Sequence, residues 1–522
     1  MAGPGTGRSF IAPNWIRASI LVLAVFAGLL RAGVAEDRTD KQKNLFVDDV
    51  QIDSMKKVTR TLHVPARAEE NPVLTPDLPW EGSIVLQPGT VIYDEDEHIF
   101  KMWYNSLATA SKPDIQELLL YATSKDGIHW EKPQLNIVDF HGSKANNAFL
   151  NWCSWNHSVI KDDSDIDVSK RYKLAYWNWK TAGKEGVWVA FSPDGIHWSV
   201  YQKNPVIPMA ASGDTFSVME DPGTHEFWMY HKSAISSQPA SVFGGASLRK
   251  VARVVSKDFV HWKDDELVLE PDTLDQPDTE FYGLSPFPYG NQFLGFLWVL
   301  HTYSQQIDVQ LVSSRDGLAW DRSVHRRVFL PLGFVRNGYN GRGFDSEMIM
   351  SIAPPAVKDG KLWMYYSGFN VKHNSTQSEE VLDDRYLGQI GLASLSTDGF
   401  ISLDATSEGQ VVMKPTLVQA SQFHLVAITR AFGDASHSYS KDWSDLYRNV
   451  ANGEGEVRVE LEGEDGEAIA GFSAQDCDPI KGAIEDHAVT WAGKGDITSL
   501  RGRHVRIKFV LKNASIFSYS LR

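Results

Sequence analysis

Acids recur at one place in this 522-residue chain, just ahead of short apolar runs. Asp214 opens such a run in ASGDTFSV, Glu280 lies in QPDTEFYGLSPF, and Asp345 and Glu347 share GYNGRGFDSEM. Glu81 follows Trp80 ahead of another, and in the remaining case Asn156 and His157 hold the place. Carboxylates gathered round one pocket shift one another's pKa, so one can keep a proton while another stays ionised. Hydrolysis of a glycosidic bond needs such a pair. Glu280, set among aromatics that would desolvate it, is the candidate general acid. Asp214 is the candidate base, and Asp345 the third carboxylate that holds the gap between them. Glu347, two residues on, shares the direction of Asp345 and could replace it. Arg342, in the Gly-rich lead-in to Asp345, is placed to close over a ligand. His301 and His373 each follow an aromatic run, and with Trp80, Glu81, His157, Arg342 and Glu347 they complete the candidate substrate-binding set. The plain structural readings are a capped turn for Asp214 and Asp345, and a core or surface residue for a lone His.

These residues have to be positioned by β-structure. LLLYATSKDGIHW (118–130) recurs as VWVAFSPDGIHW (187–198), VARVVSKDFVHW (251–262) and VQLVSSRDGLAW (309–320), with a degraded copy, IGLASLSTDGF, from Ile390. Each is an alternating run, a turn signal on Ser and Asp-Gly, then an aromatic. The Trp residues are 68, 64 and 58 apart. An aromatic strand precedes each copy (98–106, 172–180, 226–233, 292–301 and 361–369), and a shorter apolar run precedes that. Three strands per period, with a fourth from the segment after the Trp, is the pattern of propeller blades. Five periods predict a five-bladed β-propeller; separate hairpins in a sandwich would not keep this fixed order. In a blade, the residues before strand one and after strand two converge on one mouth of the central channel. That geometry selects the acids above, and Asn105, Lys232, His301 and His373 on the other side of the mouth.

The domain reading follows. Arg8 and Arg17, an apolar run over 18–30 and Gly33-Val34-Ala35 read as a secretory signal over 1–35, the run being short for a membrane span. Residues 36–80 form an entry segment, with LFVDDVQI (45–52) as a strand; 81–405 form the propeller. After Ala405 the repeat stops, and alternating stretches at 455–472 and 504–521 read as a C-terminal β-sandwich over 406–522. That part is either a carbohydrate-binding module or a structural domain sealing the propeller side. Ser438–Asn452 is a short helix or a loop. The whole is all-β.

Composition narrows the partners. A formal charge of −15 argues against nucleic acid and for a soluble protein outside the cell, secreted or periplasmic, free of the membrane once the signal is cut. Seventeen Trp and 11% aromatics suit both propeller cores and sugar-stacking surfaces. The only cysteines, Cys153 and Cys477, fall in different domains, so no disulfide is inferred. Asp163-x-Asp165-x-Asp167 lacks the Gly and the final acid of a calcium loop, Val168 and Leu174 standing there instead, and reads as a hairpin tip. No cofactor is called for and no metal ligands are assigned; a structural calcium held by one His and waters would leave no spacing signature. Asn156, Asn374 and Asn513 each open an N-glycosylation sequon.

The blade pattern resembles the five-bladed propeller glycosidases, the invertase/fructosidase and arabinanase/β-xylosidase superfamily. It is most similar to secreted, invertase-like propeller proteins of planctomycetes and related bacteria. PWE (79–81), DGIHWEKP (126–133), DTEFYG (278–283), FDSEM (344–348) and GFSAQDCDPI (471–480) carry the likeness, from about Asn44 to the C-terminus. It implies hydrolysis of an extracellular poly- or oligosaccharide by three acids in the central pocket: a base, an acid and a third that tunes the acid. The invertase Trp-Met-Asn-Asp-Pro, Arg-Asp-Pro and Glu-Cys motifs are absent, so Asp214, Glu280 and Asp345 rest on the blade geometry. The competing expectations are a propeller that binds glycans without cleaving them, and a protein-interaction propeller.

Overall fold

A computed structural model describes residues 42–107, 117–151, 155–233, 249–322, 326–334, 343–375, 386–429 and 455–522. The signal segment, Cys153, Arg342 and the 438–452 stretch lie outside the described residues. Among the described residues the regular structure is β-strand with a few 3₁₀ turns, an all-β chain.

The strands pair as successive antiparallel meanders. The first unit is Ile84–Asp94, Ile99–Leu107, Leu118–Ser124 and Ala148–Asn151. The second is His157–Lys161, Tyr172–Asn178 and Gly186–Ser192, edged by Ser199–Val200 and Ile207–Pro208. Phe216–Glu220, Phe227–Ser233, Lys250–Ser256 and Lys263–Leu269 make the third. The fourth is Thr279–Tyr289, Gln292–His301 and Gln306–Ser314, edged by Trp320–Asp321 and Val328–Leu330. In the fifth, Met348–Ile352, Lys361–Phe369 and Gly388–Ser396 are completed by Ala66–Arg67, a strand from the other end of the chain.

The repeated Ser-x-Asp-Gly stretch is a turn that closes on itself and grips the preceding unit. Ser124 Oγ accepts from Gly127 N (2.9 Å), and Asp126 Oδ1 accepts from Ile128 N (2.9 Å) and His129 N (2.8 Å). The same bonds recur at Ser192-Asp194 and Ser314-Asp316. Asx turns of this kind are local, which is why they show in the sequence. The left-handed Gly then offers its carbonyl to an aromatic one unit back. Tyr365 donates to Gly127 O, Trp103 to Gly195 O and Tyr230 to Gly317 O, each at 2.7 Å. In the third unit Phe259 replaces the Gly and packs on Phe191 of the second unit. The degraded copy keeps the contact through Asp398, which accepts from Tyr289 of the fourth unit at 2.7 Å. These contacts run from unit to unit and return from the fifth to the first.

Gly127 has φ +78°, and a Cβ there would lie 2.7 Å from Tyr365 Oη and 3.0 Å from Phe100 and Trp363. Gly127→Ala is expected to cost about 1–3 kcal/mol through backbone strain and overpacking. Thermal unfolding checks this; an unchanged Tm would show that the turn does not clamp the units.

Apart from Ala356–Lys358, which pairs with Lys361–Phe369 in the fifth unit, the remaining strands form a nine-stranded sheet around His504–Leu521, an 18-residue strand that pairs with Ile401–Met413, Phe423–Thr429, Glu456–Glu462, Thr416–Leu417 and Lys43–Leu45. LFVDDVQI is therefore not one strand. Leu45 ends the first strand, Asp48 caps the following bend through Val50 N (3.0 Å), and Ile52 begins the next, which pairs with Ile401–Met413. Local β-propensity loses here to the Asp48-Asp49 turn. One apolar cluster runs from this sheet into the fourth and fifth units, joining Phe509 and Tyr519 to Phe296, Phe329 and Phe400.

On the seam between the first and second units, Asp94 is buried and takes Lys101 at 2.8 Å and Lys161 at 3.2 Å. Burial alone would raise its pKa, but bonding to the two lysines outweighs this and brings it down to about 2. The folded-state value lies below the unfolded one of about 3.9, so the stabilisation is present above that pH and lost as pH falls toward 2. Denaturant unfolding between about pH 5 and pH 2 should show a steeper loss in the wild type than in Asp94→Asn; equal slopes would assign the acid sensitivity elsewhere.

Candidate functional site

All five meanders contribute to one depression, lined by Leu86, Trp155, Asn156, Asp214, Thr215, Tyr282, Trp298, Met350 and Ser351. Irregularities in the strands aim several of these inward. The ladder breaks between Leu86 and Thr90, between Phe281 and Gly283, and between Ile349 and Ser351. Tyr282 and Met350 are thus the extra residues of bulges, which turn a side chain out of the alternating pattern. Gly283 makes room beside Tyr282, since a Cβ there would meet the Trp298 ring at 2.5 Å and Thr215 at 3.0 Å. Trp155 holds φ +64°, an uncommon conformation for a bulky residue.

Charge is concentrated on one side. Asp214 Oδ1 accepts from Lys232 Nζ at 2.5 Å and from Thr215 Oγ1 at 3.1 Å. Gly213 allows this approach: its N–H donates to Lys232 O at 2.9 Å, and a Cβ would lie 2.6 Å from that oxygen. Burial pushes the Asp214 pKa up, but Lys232, aided by Thr215 and Arg249, brings it below the usual carboxylate value. Glu280, itself buried, is paired with Arg249. The ammonium of Lys232 stands 4.6 Å from the Tyr282 ring centre and the guanidinium of Arg249 5.5 Å from it. Tyr282 Oη lies 3.1 Å from His373 Nε2. Burial, then Arg249 and Lys232, lower the His373 pKa to about 4, while burial raises that of Tyr282.

The structure therefore brings Asp214, Glu280 and His373 together and places the other described candidates elsewhere, Arg342 lying outside the described residues. Asp345 is held by Arg67 Nε (2.8 Å) and Tyr366 Oη (2.9 Å), and Arg67 also donates to Pro331 O, tying the fifth unit's outer strand to the fourth unit. Asp345 is thus an interunit ion-pair partner, not part of the pocket lining. Glu347, beside it, is buried at the junction of the fourth and fifth units and accepts from Gln306 Nε2 at 3.2 Å. Glu81 is fully buried in the first unit, where it accepts from Asp77 N (3.0 Å), Leu78 N (2.9 Å), Tyr104 Oη (2.7 Å) and Lys132 Nζ (2.8 Å). Trp80 donates to Asn147 at 2.8 Å in the same neighbourhood. The turn before the first strand is thus held against Tyr104 of the second strand and against Lys132 and Asn147 of the loop between the third and fourth, and neither residue is in the pocket lining. His157 is a core residue that sits 2.9 Å from Trp103 O through Nε2, and burial lowers its pKa to about 4. His301 pairs with Asp308 at 3.0 Å, which raises its pKa.

Sequence reasoning missed Tyr282, Arg249, Trp155 and Trp298. The Gly following Tyr282 was the available signal for a bulge; nothing local marks Arg249. Among the described residues no group of three or more His, Cys, Asp or Glu is arranged to hold a metal ion. At the 163–167 tip, Asp163 bonds Arg171, Asp165 bonds Lys173 and Asp167 caps a 3₁₀ turn.

No family model matches the chain. A stretch of 130 residues, 24% of this chain and 39% of the relative, is 28% identical to the uncharacterized protein MT1551 of Mycobacterium tuberculosis. The chain thus matches well under half of that protein. Similar solved structures include an N-acetylgalactosamine deacetylase from F. plautii in complex with blood group B trisaccharide (TM-score 0.44, 15% identity, 65% of this chain and 96% of that one). A putative glycosidase from Bacteroides thetaiotaomicron (0.41, 16%, 64% and 96%) and a thermostable family-43 glycoside hydrolase (0.40, 12%, 64% and 91%) are others. At these TM-scores none of them bears on the chemistry of the pocket.

Proposed function

We propose that the protein is a secreted glycoside hydrolase acting on an extracellular poly- or oligosaccharide, built as a five-bladed β-propeller with a C-terminal β-sandwich. One observation carries this: Asp214 lines an aromatic-walled depression to which all five meanders contribute, and a second carboxylate, Glu280, stands behind it, paired with the Arg249 that faces the lining residue Tyr282. Ring faces suit the C–H faces of a sugar, and fixed polar groups set its orientation. Asp214, kept ionised by Lys232, is the base or charge-stabilising group. Glu280, paired with Arg249 in the ligand-free chain, is the proton donor. Asp345 serves the fold through Arg67.

A second reading is favoured by the same ion pairs. Each acid is matched to a cation, Asp214 to Lys232 and Glu280 to Arg249, as suits a propeller that grips a glycan without cleaving it. A reducing-sugar screen of the full chain against a broad glycan panel, with Glu280→Gln and Asp214→Asn alongside, separates the two. Release by the wild type alone supports hydrolysis. No release by any of the three, with retained binding on a glycan array, supports the binding propeller.

A further inference from the structure

We propose that Tyr282 is the specificity-determining residue of the pocket, its phenol oxygen held by His373 as a hydrogen-bond acceptor that reads one ligand hydroxyl. This rests on the carbohydrate reading above. The bulge places Tyr282 in the pocket lining, and its ring packs edge-on against His373, centroids 5.1 Å apart. One hydrogen bridges Tyr282 Oη and His373 Nε2 across 3.1 Å. Phenol O–H is the stronger donor and a neutral imidazole nitrogen the stronger acceptor, so the hydrogen is on the phenol. The surrounding charges act the same way. Lys232 and Arg249 face the pair, each countered by Asp214 or Glu280, and the two cations with burial keep His373 neutral. The His373 main chain is itself anchored, its backbone N–H donating to Gln305 O at 2.9 Å. With its only hydrogen committed to His373, Tyr282 Oη presents lone pairs alone, and the matching ligand group is a donor. A sugar hydroxyl is such a group; an ether or fluorine at that position is not. A buried acceptor left unpaired is costly, which is how such a site rejects an analogue lacking the hydroxyl.

Two measurements test this. Ring ¹⁵N NMR of the full chain should find His373 Nε2 unprotonated at neutral pH and shifted in Tyr282→Phe; a protonated Nε2 overturns the proposal whatever the ligand. Methyl pyranosides of glucose, galactose, mannose and xylose, each with its monodeoxyfluoro analogues, are then titrated against wild type and Tyr282→Phe. For one sugar, fluorine at a single position should weaken binding to the wild type roughly 10-fold or more. Tyr282→Phe should bind the parent sugar correspondingly weakly and lose that discrimination. Equal discrimination by both proteins overturns the role of Tyr282 while leaving the sugar pocket intact. No binding of any pyranoside by a wild type that shows the expected His373 signal overturns the carbohydrate reading and the proposal with it.

Discussion

Glu280→Gln is expected to lower turnover on the glycan that the wild type cleaves by roughly 10²–10⁴-fold, the range for loss of a positioned proton donor. Its melting temperature should stay close to wild type. The amide keeps the shape of the side chain, and Arg249, about a third exposed, retains access to water. Asp214→Asn should give a loss of similar size for a different reason. It removes the charge that activates water or stabilises a cationic transition state, and leaves Lys232 beside a neutral group. The two variants differ in rescue: an added small nucleophile such as azide should restore part of the turnover of the Asp214 variant and none of the Glu280 variant on a substrate with a poor leaving group. Near-normal turnover in either variant removes that residue from the mechanism.

Arg67→Met is expected to destabilise the chain by about 3–5 kcal/mol, because it strands the carboxylate of Asp345 without its cation. The Asp345 side chain is 5% exposed, and only the Tyr366 hydroxyl would remain of its two bonds to side chains. Arg67 also lies on the strand that completes the fifth meander and bonds Pro331 of the fourth, so the loss falls where the ends of the ring meet. Chemical denaturation should show a lower midpoint with an unchanged slope. Asp345→Asn gives the complementary result: a stability loss with turnover per folded molecule preserved. If Asp345→Asn instead kept its stability and lost turnover, Asp345 would belong to the reaction and the assignment of its role to Arg67 pairing would fall.

The sequence by itself determined the repeat, the all-β class and the positions at which strands begin. All of these are written in local chemistry: Ser, Asp and a left-handed Gly form a turn within a few residues, and alternating apolar runs flank it. It also marked Asp214 and Glu280, because the start of an inner strand is a place the repeat defines. Tertiary structure alone decided which acids share a pocket. Asp345 and Glu81 stand at equivalent points of the repeat, yet one is claimed by Arg67, 278 residues earlier, and the other by Lys132 from the loop between the third and fourth strands of its unit. Tyr282 and Met350 owe their direction to bulges, which break the period of two on which strand reading depends. Arg249 and Lys232 reach Tyr282 from a neighbouring meander, and a charge that acts across a seam leaves no mark in the order of residues along the chain.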